Sequence, residues 1–445
     1  MISISGVRGI IGETMTPQLA ADMGSGFGTY LAGGTVVVGR DSRPSGDMVH
    51  HAVCSGLLAA GCNVINLGIV TTPGTGMMVI HRKAAGGIVI TASHNPVHWN
   101  GIKFLTPEGL APPPDQAQQI IDIYERKAFT HVPVDRIGQV DTDPTTHDLH
   151  VNAVLDTIDP KAIAAKKFRV VVDSVHGAGG TAAKMLLEKL GCDLVHLYAQ
   201  PTGQFPHTPE PTRENLTELA DRTKAEAAAV GFAQDPDADR CAIVDENGRY
   251  VGEEYTLALA AQYMFTKHSG PAAANLSTSR MIDHLAAQAG VPVIRTAVGE
   301  ANVVNAMKAN GCVIGGEGNG GVIDLRVVPV RDSLVAMALT LQLLADTGKP
   351  LSALVDQIPA YAMVKQKLEV SRDKIGQVLA AVKARFKNDP LNDTDGIRID
   401  WPEGWVHVRA SNTEPIMRII AEADDQAAAN ELIQRIRDVA DPILK

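Results

Sequence analysis

Short runs rich in β-branched residues recur along this chain with helical stretches between them, and that alternation confines it to a small set of layered α/β folds. Thr35 to Gly39 predicts a strand and Gly46 to Ala60 a helix, and strands follow at Asn63 to Leu67 and Gly87 to Thr91. The pattern restarts at a strand from Arg169 to Asp173. There a turn carrying Gly177, Gly179 and Gly180 leads into a helix from Thr181 to Leu190. Strands at Cys192 to Leu197 and Ala227 to Phe232 complete that cycle. A third cycle holds helices at Thr256 to Phe265 and Met281 to Ala289, with strands at Ala273 to Leu276 and Val291 to Arg295. Strands that alternate with helices build βαβ units and largely parallel sheets. The last stretch departs from this. Tyr361 to Val370 and Gly396 to Ala410 alternate like antiparallel strands, and Asp424 to Val439 carries the apolar stripe of a covering helix.

At 445 residues the chain is too long for one ordinary core. Boundaries near 150, 253 and 358 give units of 1–150, 151–253, 254–358 and 359–445. No internal sequence repeat is visible, although the three αβ cycles are candidates for structural relatives. Apolar residues make up 45% and charged residues 20%, a globular balance. The net charge of −10 argues against a nucleic-acid partner, but leaves room for a local basic pocket that takes phosphate. Five scattered cysteines without C-x-x-C spacing read as buried thiols of a reducing compartment. The uncharged run from Ala52 to Ile80 is interrupted by Gly61, Asn63, Asn66, Gly68 and Thr71-Thr-Pro-Gly74. It therefore reads as helix, strand and loop rather than a membrane span. With no basic n-region followed by an apolar stretch at the N-terminus, the expectation is a cytoplasmic protein without a membrane partner.

Four segments carry chemistry. Thr91-Ala-Ser-His-Asn-Pro96 follows a strand directly, where α/β folds place reactive groups. It reads either as a reactive-serine loop or as a polar turn closed by Pro96, and without Gly-x-Ser-x-Gly a hydrolase elbow is a poor fit. In Asp235-Pro-Asp-Ala-Asp239-Arg240, three carboxylates at i, i+2 and i+4 of an extended segment point to one side and repel. A hard cation such as Mg²⁺ or Ca²⁺ relieves that; a solvated acidic loop is the alternative. An EF-hand matches at Asp235, Asp237, Asp239 and Glu246, but its sixth position needs Gly and holds Arg240. Arg409-Ala-Ser-Asn-Thr-Glu-Pro415, with Arg418 beyond, offers a guanidinium fork, hydroxyls, an amide and loop N–H groups for a phosphate, or is a surface turn. Gly315-Gly-Glu-Gly-Asn-Gly-Gly321 is a loop of close backbone approach with Glu317 as its one charged group, and it is not a P-loop. Ser5-Gly-Val-Arg-Gly9 and Gly39-Arg-Asp-Ser-Arg-Pro44 place further arginines in tight loops.

In this order the segments resemble the α-D-phosphohexomutases, over nearly the whole chain from Ser5 to Arg418. The resemblance implies an α/β protein of three related domains with mixed, largely parallel sheets, plus a smaller α+β C-terminal domain, around a central cleft. It implies that Ser93 is the phosphorylated serine and that Asp235, Asp237 and Asp239 bind one Mg²⁺ per chain, with a phosphoserine oxygen at Ser93 completing the site. His94 and Arg8 stand with Ser93 among the catalytic residues, and Lys103 in Asn100-Gly-Ile-Lys-Phe104 falls where the family keeps a lysine for proton transfer. Arg240 is expected at phosphate or substrate, Glu317 and Asn319 at the sugar, and Arg409, Ser411, Asn412, Thr413 and Arg418 at the distal phosphate. In the implied reaction, phospho-Ser93 donates to the free hydroxyl of a hexose phosphate. The hexose 1,6-bisphosphate turns over in the cleft, and the original phosphate returns to Ser93. The partner is thus a small hexose or hexosamine phosphate, bound by a monomer or homodimer.

Two loops depart from the phosphomannomutase/phosphoglucomutase branch. Asn319 and Gly321 stand where it keeps Ser and His, leaving an acid/base partner unassigned, and Thr296-Ala-Val-Gly299 replaces its T-G-H-S. The T-x-V-G form looks more like phosphoglucosamine mutases, with Glu300 expected near a 2-ammonium group. A broad phosphoglucomutase/phosphomannomutase is the nearest rival. A non-catalytic sugar-phosphate binder would not need Ser93, three aspartates and Lys103 together. An alkaline-phosphatase-like hydrolase would need a His cluster that this chain lacks.

Overall fold

The computed structural model describes residues 2–3, 6–410 and 416–444. Four sheets follow one another along it. The first has seven strands. At its centre Gly34–Arg40 pairs in parallel with both Cys62–Ile69 and Gly86–Ile90, and Gly86–Ile90 then pairs antiparallel with Trp99–Leu105. Its valine runs are continuous because both faces are covered. Val36 and Val38 face a core with Phe27, Val53 and Leu57, while Val37 and Val89 face Val70, Met78 and Val79 on the other side.

The second and third sheets repeat one plan with four strands each. Arg169–Asp173 runs parallel to Asp193–Leu197 and Val230–Gln234, and Cys241–Asp245 turns back antiparallel at the edge. Ala272–Asn275 runs parallel to Val293–Thr296 and Ile314–Glu317, and Gly321–Ile323 turns back in the same way. One apolar cluster joins these two sheets through the helices Glu253–Lys267 and Ser333–Thr347. The second of these is buried almost all round, which accounts for its unbroken apolar sequence. The fourth sheet is wholly antiparallel, with five strands. The helix Gln426–Leu444 covers it through Ala429, Leu432, Ile433, Ile436 and Ala440, one stripe at helical spacing.

Three expectations need correction. Thr71-Thr-Pro-Gly74 is no loop but the start of the helix Thr72–His81. Thr71 Oγ1 accepts the Gly74 N–H at 2.9 Å as N-cap, and Pro73 brings a φ already suited to the first turn. The Gly-rich 315–321 window is mostly strand, and only 318–320 connect Ile314–Glu317 to Gly321–Ile323. All five cysteines are free, but Cys192 is only half-buried. No helix among the described residues is long and apolar enough to cross a membrane.

Candidate active site

The chemistry-bearing loops share one topological position. Each connects a parallel strand of its sheet to the antiparallel strand that follows it in the chain: 91–98 in the first sheet, 235–240 in the second and 318–320 in the third. All three thus lie at the carboxyl ends of parallel strands, where the ladder stops and loop groups are free to face a ligand. In the fourth sheet, 411–415 connect Gly404–Ala410 to Ile416–Ala423; Ser411, Asn412 and Thr413 lie outside the described residues.

Ser93 is 2% exposed, and its φ of 50° is left-handed. Its N–H donates to Thr91 Oγ1 at 2.9 Å, and its carbonyl accepts from Arg43 NH2 at 2.8 Å. Arg43 pairs with Asp41, to which Thr91 Oγ1 also donates at 2.6 Å. So fixed, Ser93 Oγ donates to Asp235 Oδ2 at 2.9 Å, linking groups 142 residues apart. His94 Nδ1 lies 3.4 Å from the same hydroxyl. Burial, then Arg240 and Arg8, lower the His94 imidazole to about 3, so it is neutral at pH 7.

The three aspartates do converge, but not on an extended segment as the sequence suggests. Straight strand geometry would spread residues i to i+4 over about 13 Å. Instead the chain turns at Pro236, Ala238 adopts a φ of 56°, and ligand oxygens of Asp235, Asp237 and Asp239 lie within 4.8 Å of one another. Each carboxylate is held from outside. Asp237 Oδ2 accepts from Lys103 Nζ at 2.8 Å and Thr72 Oγ1 at 2.6 Å, and Asp239 Oδ2 accepts from Arg331 NH2 at 2.5 Å. Asp235 Oδ1 accepts the Arg240 N–H at 3.2 Å. Among the described residues Asp237 Oδ1 and Asp239 Oδ1 are buried without a hydrogen-bond partner. Two buried carboxylate oxygens that accept no hydrogen bond, in a cluster whose ligand oxygens lie within 4.8 Å, fit a cation with oxygen ligands. Burial and the charges of Asp237 and Asp239 push Asp235 well up, which is the repulsion such a cation relieves. Burial alone would lower Lys103, but Asp237 and Asp239 outweigh it and raise it. Arg8, on the strand Gly6–Ile10, is lowered by burial against the attraction of Asp237, with Arg240 and Arg331 adding to the lowering.

Glu317 ends its strand with Oε1 accepting from Asn275 Nδ2 at 2.8 Å and Oε2 paired with Arg331. Asn319 Nδ2 reaches the same carboxylate at 3.5 Å, while its own Oδ1 is buried without a partner among the described residues. Glu300 faces Arg331 rather than open cleft: its Oε2 accepts the Arg331 N–H at 2.8 Å and lies 3.2 Å from Nε. Its expected place beside a sugar ammonium therefore goes to an ion pair within the protein. In the fourth sheet Arg409 and Arg418 sit opposite one another in register, which sets two cations on one face. Arg409 Nε donates to Asp395 Oδ2 at 3.1 Å, and that oxygen also accepts the Val298 N–H at 3.0 Å.

Sequence reasoning missed Arg331, Thr72, Asn275 and Asp395. Arg331 precedes the N-cap of an apolar helix and carries no local motif. Thr72 was hidden by reading its helix as a loop. Arg43 had a weak signal, an arginine in the tight turn 39–44.

A serine on one sheet aimed at a carboxylate triad on the next, with a cationic rim, is an arrangement suited to phosphoryl transfer. Comparison with known proteins agrees. The phosphoglucomutase/phosphomannomutase α/β/α domain I matches residues 3–131, domain II 148–248 and domain III 252–361, and the C-terminal domain of that family matches 363–439. A probable phosphoglucosamine mutase of Methanopyrus kandleri is 38% identical over 439 residues, 98% of this chain and 96% of its own length. A phosphoglucomutase/phosphomannomutase of Thermococcus kodakarensis is 39% identical over 96% of both chains. A solved phosphoglucomutase/phosphomannomutase family protein of Burkholderia thailandensis superposes with a TM-score of 0.87 at 28% identity, covering 100% of this chain and 99% of that one. The chain belongs to the phosphoglucomutase/phosphomannomutase family of α-D-phosphohexomutases. It is an isomerase of the intramolecular phosphotransferase kind, in a family that depends on Mg²⁺.

Proposed function

We propose that this chain interconverts glucosamine 6-phosphate and glucosamine 1-phosphate through phospho-Ser93 and a hexosamine bisphosphate. The observation that carries the chemistry is the 2.9 Å hydrogen bond from Ser93 Oγ to Asp235 Oδ2 within the aspartate cluster. Asp235, Asp237 and Asp239, with Ser93, are the residues that would hold Mg²⁺. When bound, the ion supplies positive charge that neutralises phosphoryl oxygens. Ser93 Oγ is the phosphoryl carrier. Lys103 Nζ holds a proton beside the reacting oxygens, and Arg240, Arg8 and neutral His94 line the same end. Arg409 and Arg418, with the 411–413 segment, take the phosphate that is not reacting. A fixed metal loop and a fixed cationic face then explain how one sugar can present either phosphate in turn.

The amino sugar is supported by the T-A-V-G segment, by relatives bearing the phosphoglucosamine mutase name, and by the acceptors around 317–319. Among the described residues Asn319 Oδ1 is buried and accepts no hydrogen bond, and an ammonium is a stronger donor than a neutral hydroxyl. The second reading, a broad phosphoglucomutase/phosphomannomutase, is favoured by the Thermococcus kodakarensis relative of that name. Glucosamine, glucose and mannose phosphates assayed side by side decide between them. We expect kcat/KM to be at least about tenfold higher for the amino sugar, which needs only about 1.4 kcal/mol. Equal or reversed preference hands the site to the second reading.

A further inference from the structure

Arg331 bridges the metal loop and the 318–320 hairpin. Its NH2 pairs with Asp239 Oδ2 of the metal loop at 2.5 Å, its NH1 with Glu317 of the 318–320 hairpin, and its Nε faces Glu300 at 3.2 Å. Its side chain is 14% exposed, so these contacts are largely shielded from water. The planar guanidinium presents donors in fixed directions and spans two carboxylates at once, which a lysine ammonium cannot do.

The seat for this side chain is made by Gly321. A β-carbon there would overlap Arg331 Cδ and come within 2.8 Å of its Cγ. The stem cannot yield freely, because Asp239 and Glu317 hold its far end by hydrogen bonds and Glu300 holds its backbone N–H. Gly321 lies outside the left-handed region, so the glycine is needed for space rather than for backbone conformation.

We propose that Arg331 is the positioning residue that locks the metal loop to the sugar loop, and that Gly321 keeps open the volume in which it sits. This rests on the reading of Asp239 as a metal ligand and Glu317 as a sugar contact. Arg331 orients Asp239 so that its Oδ1 faces the cluster, and holds Glu317 at a set distance from it. Metal affinity and sugar affinity therefore depend on one guanidinium. Partners of this kind, one bond behind a metal ligand, typically change metal affinity by about 10–100-fold when lost.

The test uses the full chain with Arg331→Lys, Gly321→Ala, the double variant and Asp235→Asn as control. Mg²⁺ affinity is read by titration calorimetry without sugar, and kcat and KM are read with glucosamine phosphate. Arg331→Lys and Gly321→Ala are each expected to weaken Mg²⁺ binding about tenfold and to raise KM in parallel. The double variant should be no worse than the worse single one, because both break the same contact. Full rescue by lysine would show that charge alone matters and overturn the proposal. So would wild-type Mg²⁺ affinity and KM in Gly321→Ala, additive losses in the double variant, or tighter Mg²⁺ binding in Arg331→Lys. If Asp235→Asn weakens Mg²⁺ but Arg331→Lys does not, only this inference fails. If Asp235→Asn leaves Mg²⁺ affinity intact, the metal reading fails and this inference with it.

Discussion

Ser93 holds a left-handed backbone that a non-glycine residue adopts at a cost on the order of 1–3 kcal/mol, and specific contacts hold it there. Thr91 takes its N–H, Arg43 takes its carbonyl, and Asp41 fixes both of those side chains. The Phe205 ring lies 5.1 Å from the Arg43 guanidinium and closes that side. Ser93→Ala should therefore abolish turnover and remove the phosphorylated species from the intact mass. Substantial remaining activity would rule out the covalent route. Arg43→Lys keeps a charge but loses the fork, so kcat should fall while KM for the sugar phosphate changes little; a change in KM alone would mean that Arg43 acts on the substrate and not on Ser93. At this scale the sequence was informative where motif and chemistry coincide, as at Ser93 and the aspartates. It was silent where a residue acts through space, as Arg331 does on partners 14 and 92 residues away.

The strands and helices were legible because Val-rich runs and helical periodicity are local properties of the chain. Arg169–Asp173 and Met281–Ala289 fall at their predicted bounds. The shared position of the three loops was not legible, since T-A-S-H-N-P, D-P-D-A-D and G-N-G have nothing in common but their place after a parallel strand. The aspartate turn was misread for a related reason. Ala238 in a left-handed conformation has no sequence signature, because alanine rarely takes it. The consequence is functional: the turn stacks Asp237 against Thr72, whose N–H also donates to the Asp237 carbonyl at 2.9 Å. The metal loop thus leans on a helix N-terminus of the first sheet. Chelation should abolish activity and Mg²⁺ should restore it, whereas full activity in chelated enzyme would refute the metal reading. Arg409→Ala removes a charge-assisted contact of about 1.5–3 kcal/mol. KM should rise roughly tenfold or more while Ser93 is still phosphorylated. An unchanged KM would place the distal phosphate elsewhere.

On the scale of the whole molecule, the fourth sheet meets the third through polar contacts. Arg398 NH1 donates to the Leu276 carbonyl at 2.6 Å, Ser277 Oγ meets His407 Nδ1 at 2.8 Å, and Glu422 accepts the Arg280 N–H at 3.0 Å. Polar interfaces of this kind hold domains together less firmly than a shared apolar core. Glu254 sits at this junction, with Oε2 accepting the Ser279 N–H at 3.0 Å and its carboxyl packed against Gly318. Burial raises it from 4.5 to about 8, with Glu422 and Glu253 adding to the rise and Lys365 opposing it. The folded chain keeps this proton between about 4.5 and 8 while the unfolded chain releases it, so the contribution to stability is present below that window and is lost as pH rises through it. Glu254→Gln keeps an acceptor for Ser279 but cannot ionise. Its Tm should match that of the wild type near pH 5 and exceed it by a few degrees at pH 9, with the gap opening across the window. A gap that is constant with pH, or one that opens towards acid, would mean that Glu254 is charged in the folded protein and that the junction carries its charge without cost.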